Sequence, residues 1–294
     1  MRLDDLVVIG ILVGVLGLDV ARGAPGPSFA VGFTALATVV YLVAGRRRAE
    51  PAPAPGPASP AVLLITRNDA ARVVGAVRAA QAANLPVFVV DDGSRDRSVH
   101  LARAAGAVVL AHSRGSGWGV AARTGMRLAA RHGHTHVIHV PADAPCDPGD
   151  IAAFAASLRW DPGAVLVGLP TYTDDPNARR RANLLLQLET GWRFGDATCP
   201  LLAWPIAPVM ALGVTGFGQG ARTELLVRAR WAGMPVRDIP CHAMPCVRRG
   251  SAAGRALTHV MLLVLRLIWP PRWPVRLRAA PRAYPREGAR ERPP

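Results

Sequence analysis

Between Val62 and Val167, short runs of uninterrupted apolar residues take turns with stretches whose apolar positions recur at helical spacing. Val62-Leu63-Leu64-Ile65-Thr66, Val87-Phe88-Val89-Val90, Val108-Val109-Leu110, His136-Val137-Ile138-His139-Val140 and Ala164-Val165-Leu166-Val167 read as strands. Between them, Ala70 to Ala83, Ser98 to Ala105, Gly119 to Arg131 and Pro148 to Leu158 read as helices. Strands that are apolar on both faces and separated by helices predict an α/β domain: a mostly parallel sheet flanked by helices. Ligands of such sheets sit beyond the carboxyl ends of the strands. Three polar segments fall at that edge: Thr66-Arg67-Asn68-Asp69, Val90-Asp91-Asp92-Gly93-Ser94 and Pro141-Ala142-Asp143-Ala144-Pro145-Cys146-Asp147.

The flanking segments have other patterns. Leu6 to Val20 and Phe29 to Ala44 are nearly charge-free apolar stretches parted by a Gly- and Pro-containing turn. They predict a transmembrane helical hairpin, with Arg46-Arg47-Arg48 holding the α/β domain in the cytoplasm. Glu50 to Pro60 alternates Pro with small residues and reads as a semi-stiff spacer. Leu257 to Trp269 is apolar except for His259 and Arg266, too short to cross a bilayer unaided, and reads as an in-plane interfacial helix before an Arg- and Pro-rich tail. The resulting division is an anchor over 1–48, a linker over 49–60, the α/β domain over 61–246 and a basic interfacial segment over 247–294.

Charge sharpens the membrane reading. The net charge is +15, and every one of the 35 basic residues is Arg. Residues 1–50 carry five Arg against four acids, residues 51–246 nineteen against fourteen, and residues 247–294 eleven against two. The excess therefore gathers beside an apolar segment, which fits anionic headgroups. With no zinc finger, RNA-recognition signature or run of stacking aromatics, nucleic acid is not an expected partner. Four scattered cysteines make no disulfide framework. His132, His134, His136 and His139 are close in sequence, but strand alternation sends His136 and His139 to opposite faces, so they read as packing or solvated residues rather than metal ligands. Cys241, His242 and Cys246 offer three ligands at most and read as ordinary side chains. Arg179-Arg180-Arg181 opens a helix whose apolar face is expected to hold Leu184, Leu185, Leu188 and Trp192.

The polar segments carry the chemistry. Carboxylates at strand ends suit a nucleotide-sugar site, because ribose hydroxyls donate to anionic acceptors and a diphosphate accepts a carboxylate-held cation. Leu64-Ile65-Thr66-Arg67-Asn68-Asp69, Val90-Asp91-Asp92-Gly93-Ser94, Gly117-Trp118-Gly119-Val120-Ala121-Ala122-Arg123-Thr124-Gly125, Asp196-Ala197-Thr198-Cys199-Pro200-Leu201-Leu202-Ala203-Trp204-Pro205 and Thr223-Glu224-Leu225-Leu226 occur in that order along the chain. Together they resemble the motifs of family 2 glycosyltransferases, a family that includes dolichol-phosphate mannose synthases. The versions found with bacterial fatty-acyl and aryl-polyene biosynthesis are nearest in pattern.

The resemblance implies a nucleotide-diphospho-sugar transferase fold and an inverting transfer of sugar from a nucleotide donor. It implies that Thr66, Asn68 and Asp69 hold the nucleoside end, that Asp91 accepts from base or ribose, and that Asp92 braces the same turn of the donor site. It makes Arg123 a donor-side cation and Asp143 the carboxylate for Mg²⁺ or Mn²⁺. Asp196 and Glu224 take the acceptor-side catalytic positions, with Glu224 orienting or deprotonating the acceptor. The chain departs from the pattern at Pro141, where the family has a second metal carboxylate, and at Trp118, Pro200 and Leu202, where it has lysine, glycine and arginine. With the anchor, these features predict a cytoplasm-facing membrane enzyme acting on a lipid-linked acceptor in the cell envelope. The rival is a catalytically silent scaffold or binding protein of the same system.

Overall fold

The computed structural model describes residues 57–142, 146–171, 176–190, 192–214 and 220–242. The apolar runs form strands β1 (Pro60–Thr66), β2 (Val87–Asp91), β3 (Val108–Ala111), β4 (His136–Pro141) and β5 (Val165–Pro170). The amphipathic stretches form helices α1 (Val73–Ala82), α2 (Ser98–Ala104), α3 (Trp118–Arg131) and α4 (Pro148–Trp160). After β5 come α5 (Pro176–Thr190), β6 (Leu202–Pro205), α6 (Ile206–Ala211), α7 (Gly220–Trp231) and β7 (Val236–Cys241). β1 takes in Pro60, so the expected spacer reaches the sheet. Its end is tied to β4, with Ser59 N donating to Thr135 Oγ1 at 2.9 Å and Thr135 Oγ1 donating to Pro57 O at 2.9 Å.

The seven strands lie in the order β3-β2-β1-β4-β6-β5-β7. Parallel pairing joins β1 to β2 and β4, β2 to β3, and β5 to β7, while β6 runs antiparallel between β4 and β5. The sheet is thus mostly parallel, as the apolar runs predict, with one strand reversed. β6 escapes the hydrophobic pattern because it is four residues long and merges with the apolar start of α6.

The core sits in the central strands. Leu63, Leu64, Ile138, Leu166 and Leu202 are essentially inaccessible, and Phe88, Phe154 and Trp204 fill the space against the helices. α3 lies directly on β1 because Gly125 lacks a side chain: a Cβ there would stand 2.3 Å from Leu63 Cδ1. α4 starts where Asp147 caps it, accepting from Gly149 N at 2.7 Å, with Pro148 in the first turn. α5 departs from expectation. Leu184 is 57% exposed, whereas Leu186 is buried, because the inward stripe begins with Arg179 and Asn183, which bond to Gly195 O at 2.9 Å each.

Among the described residues no helix is long and apolar enough to cross a membrane. The expected N-terminal hairpin, the interfacial helix at Leu257 to Trp269, the basic tail and Cys246 lie outside the described residues.

Candidate active site

The carboxyl ends of β1 and β2 bring Thr66 and Asp91 side by side in register. Asp92 N donates to Thr66 O at 2.9 Å, so the two loops leave the sheet together. Thr66 is buried, and its Oγ1 has no hydrogen-bond partner among the described residues. A buried hydroxyl without a partner is costly, and at a ligand edge it marks a place where a bound group completes the bond.

Each expected donor residue of the two loops is held by short-range bonds. Asn68 adopts φ 55° and links the loops, its Oδ1 accepting from Arg95 N at 2.9 Å and its N donating to Ser94 Oγ at 2.8 Å. Asp69 is buried and accepts from Arg67 N at 3.2 Å, while its own N donates to Ser98 Oγ at 3.0 Å. Asp91 accepts from Ser94 N at 2.9 Å and from Ser94 Oγ. Gly93 makes the turn at φ 76°, and a Cβ there would lie 2.6 Å from the Arg114 backbone carbon. The β2 loop therefore packs directly on the loop after β3.

Asp92 is the clamp between those loops. Its Oδ1 accepts from Ser116 N and Ser116 Oγ at 2.7 Å each, and Oδ2 accepts from Gly117 N at 2.9 Å. His112 Nδ1 lies 3.2 Å from the same Oδ1, and His112 Nε2 lies 3.0 Å from Thr124 Oγ1. Burial alone would raise this carboxyl, but the Ser116, Gly117 and His112 bonds outweigh it and hold it below the usual carboxylate value. Asp92 thus ties the β2 loop to the start of α3. Arg123 comes next, half-buried on α3.

Trp118 and His139 carry a bond that sequence reading missed. Trp118 Nε1 donates to His139 Nε2 at 3.0 Å, and His139 Nδ1 stands 2.9 Å from Pro200 O. An indole N–H only donates, so Nε2 is the acceptor and Nδ1 carries the proton. Burial, then the charge of Arg222, push the imidazole down to about 3. Trp204 stacks on the imidazole at 6.4 Å and meets Trp118 at 6.1 Å. His136 makes a separate bond on the other face, to Pro162 O at 2.8 Å. No group of three or more His, Cys, Asp or Glu among the described residues is placed to hold a metal ion.

The residues expected on the acceptor side, Asp196 and Glu224, both lie near arginines. Asp196 is buried, accepts from Thr198 N at 2.9 Å and Thr198 Oγ1 at 2.6 Å, and lies 3.7 Å from Arg179 Nε. Beside it Asp238 accepts from Gly195 N at 3.0 Å, its Oδ1 has no partner among the described residues, and burial raises its carboxyl above the usual value. Glu224 has no exposed surface and meets Arg228 Nε at 2.6 Å. The pair lies within α7, one helical turn apart.

The metal carboxylate expected at Asp143 lies outside the described residues. The neighbouring acids are committed elsewhere. Asp147 caps α4, and Asp150 accepts from His242 N at 2.9 Å with His242 Nδ1 3.0 Å away, which raises the His242 imidazole. The described residues build no cage for a divalent ion. Cys146, Cys199 and Cys241 are free thiols, and burial, then Asp150 and Asp147, push Cys146 up to about 12. They are inert packing groups rather than nucleophiles.

Residues 61–213 match the family model described as glycosyl transferase family 2. Crystal structures of glucosyl-3-phosphoglycerate synthase from Mycobacterium tuberculosis share the fold. The complex with Mn²⁺, UDP and glucosyl-3-phosphoglycerate is 15% identical with a TM-score of 0.56, covering 79% of this chain and 83% of that one. The complex with Mg²⁺ and UDP is 16% identical with a TM-score of 0.57, covering 80% and 84%. A complex with Mn²⁺, UDP-glucose and phosphoglyceric acid is 16% identical with a TM-score of 0.57, covering 82% and 91%. No curated protein matches the chain in sequence.

Proposed function

Since the chain belongs to glycosyl transferase family 2 and is a glycosyltransferase with a nucleotide-sugar donor, we propose that it transfers the sugar, with inversion, to a lipid-linked acceptor at a membrane surface. The observation that supports a donor site most directly is the paired edge of β1 and β2, where the unpartnered Thr66 hydroxyl lies beside the Asp91 turn. Thr66, Asn68, Asp69 and Asp91 take the nucleoside, with Asp92 fixing the loop that closes over it. Asp143 holds Mg²⁺ or Mn²⁺ against the donor diphosphate, where the ion would supply charge neutralisation of the leaving group. Asp196 shapes the acceptor loop. The two N-terminal apolar stretches and the basic tail favour a membrane location facing the cytoplasm, close to anionic headgroups. An enzyme tethered by a short spacer meets an acceptor carried in the same surface, which raises the encounter rate.

The test uses the full chain in membranes, with UDP-glucose as first donor and a total lipid extract as acceptor. UDP with Mn²⁺ is expected to raise the melting temperature, and lipid is expected to release UDP and yield a labelled glycolipid. Asp143→Ala and Asp91→Ala are each expected to lower release by about a hundredfold or more, the scale of a lost electrostatic contact to a reacting group. Stabilisation by UDP without release, across other nucleotide sugars as well, would instead favour a silent scaffold.

A further inference from the structure

The bond from Trp118 to His139 lies where two loops of different function meet. On one side, Gly117 N and Ser116 N are held by Asp92, so the segment before Trp118 is fixed to the donor loop. On the other side, Pro200 closes the segment that begins at Asp196, and its carbonyl accepts the His139 Nδ1 proton. Leu202, two residues on, pairs in register with His139 across the antiparallel β4–β6 contact. The imidazole has two nitrogens and each serves one loop. Both side chains are buried, Trp118 at 9% and His139 at 3% exposure. Arg222 of α7 completes the seam, its guanidinium 5.8 Å over the Trp118 ring and its Nη2 3.5 Å from Cys199 O.

An apolar pair would avoid the polar cost, since burying an indole N–H and an imidazole is favourable only when both are bonded. The geometry also fixes direction. The indole donates, the neutral imidazole passes a donor on, and the carbonyl receives it, so each partner is set by the one before.

We propose that Trp118 and His139 are positioning residues for the transfer: the relay from Trp118 through His139 to Pro200 sets the donor loop and the 196–200 acceptor loop at a fixed separation. This rests on the reading of these loops as donor and acceptor sides. Neither residue touches substrate in this role. A displacement of about 1 Å between reacting groups costs on the order of a hundredfold in rate, so a loosened relay acts on turnover rather than on donor affinity.

The experiment compares full-length wild type, Trp118→Phe and His139→Gln. Trp118→Phe keeps the ring and removes the donor, and His139→Gln keeps an acceptor for the indole. UDP with Mn²⁺ is the probe for donor-side binding, and UDP release from UDP-glucose with lipid extract measures turnover. Trp118→Phe is expected to lower turnover ten- to a hundredfold with the UDP dissociation constant within twofold of wild type and the fold intact by circular dichroism. His139→Gln is expected to recover part of that turnover. Unchanged turnover in Trp118→Phe overturns the proposal, as does a loss of UDP affinity equal to the loss of rate, which would make Trp118 a donor contact. If wild type binds no nucleoside diphosphate, the functional reading fails instead. The relay is then judged by hydrogen exchange. Trp118→Phe must speed exchange of the 196–199 amides while leaving Ser116 and Gly117 protected, and equal protection of both segments overturns it.

Discussion

The two halves of the sheet differ in how far they rely on arginine to hold their carboxylates. From β1 to β4, carboxylates are satisfied by backbone amides and hydroxyls of nearby loops, as Asp92 is by Ser116 and Gly117 and Asp91 by Ser94. Around β5 to β7, acids also meet guanidinium groups, one on the same helix and two from separate elements. Glu224 pairs with Arg228, Asp196 with Arg179, and Asp161 with Arg237, whose Nη2 is 2.6 Å from Asp161 Oδ2. The first arrangement fixes loop geometry, because an amide cannot move without moving the chain. The second ties elements together where the pair spans them, α5 to the Asp196 loop through Arg179 and the end of α4 to β7 through Arg237.

The largest effect that tests this contrast is expected at Glu224. Glu224→Ala leaves Arg228, 10% exposed, without its carboxylate, and unfolding free energy is expected to fall by about 3–5 kcal/mol in denaturant titrations. Replacing both partners, as in Glu224→Leu with Arg228→Met, is expected to recover most of that loss, since a buried pair is exchangeable for hydrocarbon of similar volume. If the double variant is no better than Glu224→Ala, the pair does more than pack α7, and a direct acceptor-side role for this carboxylate is supported.

Asp92 is the counterpart, with a smaller cost and no hydrocarbon remedy. Asp92→Ala removes the acceptor of two backbone amides and a hydroxyl, and is expected to cost about 3 kcal/mol and to abolish UDP binding by calorimetry. Asp92→Leu is expected to be no better, because the orphaned amides of Ser116 and Gly117 remain. Recovery of stability in Asp92→Leu would erase the distinction between the halves.

This difference also decides what the sequence reveals. Asp91, Asp92, Gly93 and Ser94 are adjacent, and their partners Ser116 and Gly117 stand about two dozen positions away at the start of a recognisable helix, so the donor edge is legible as motifs. The strands from β1 to β5 are legible for the same reason: each is a local apolar run. The β5–β7 half depends on pairs such as Gly195 with Asp238 and Asp161 with Arg237, 43 and 76 positions apart, which no local pattern marks. Glu224 meets Arg228 four residues on, a spacing that any helix offers and that a motif reading passes over. Leu184 misled for a related reason. A leucine-rich run implies an apolar face, yet α5 turns Arg179 and Asn183 inward to hold Gly195 O, and Leu184 is carried to the surface.

The smallest effect tests the seam. His139 bonds Trp118 of the first half and Pro200 of the second, and accepts the indole only while neutral. Its folded value is depressed from 6.5 to about 3, so the unfolded chain binds more protons throughout that interval. Stability from this group is therefore fully present above pH 6.5 and is lost as pH falls towards 3, with each unit of proton linkage worth up to about 1.4 kcal/mol. Arg222, the charged group facing the imidazole from α7, depresses it further and does not titrate in this range. His136 and His134, also lowered by burial, add slope of the same sign and are common to wild type and variant. Between pH 6.5 and pH 5, wild type is expected to lose up to about 2 kcal/mol more than His139→Gln in denaturant titrations. Equal losses in the two proteins would mean that the imidazole takes up its proton without parting from Trp118, and that the halves are joined at some other place.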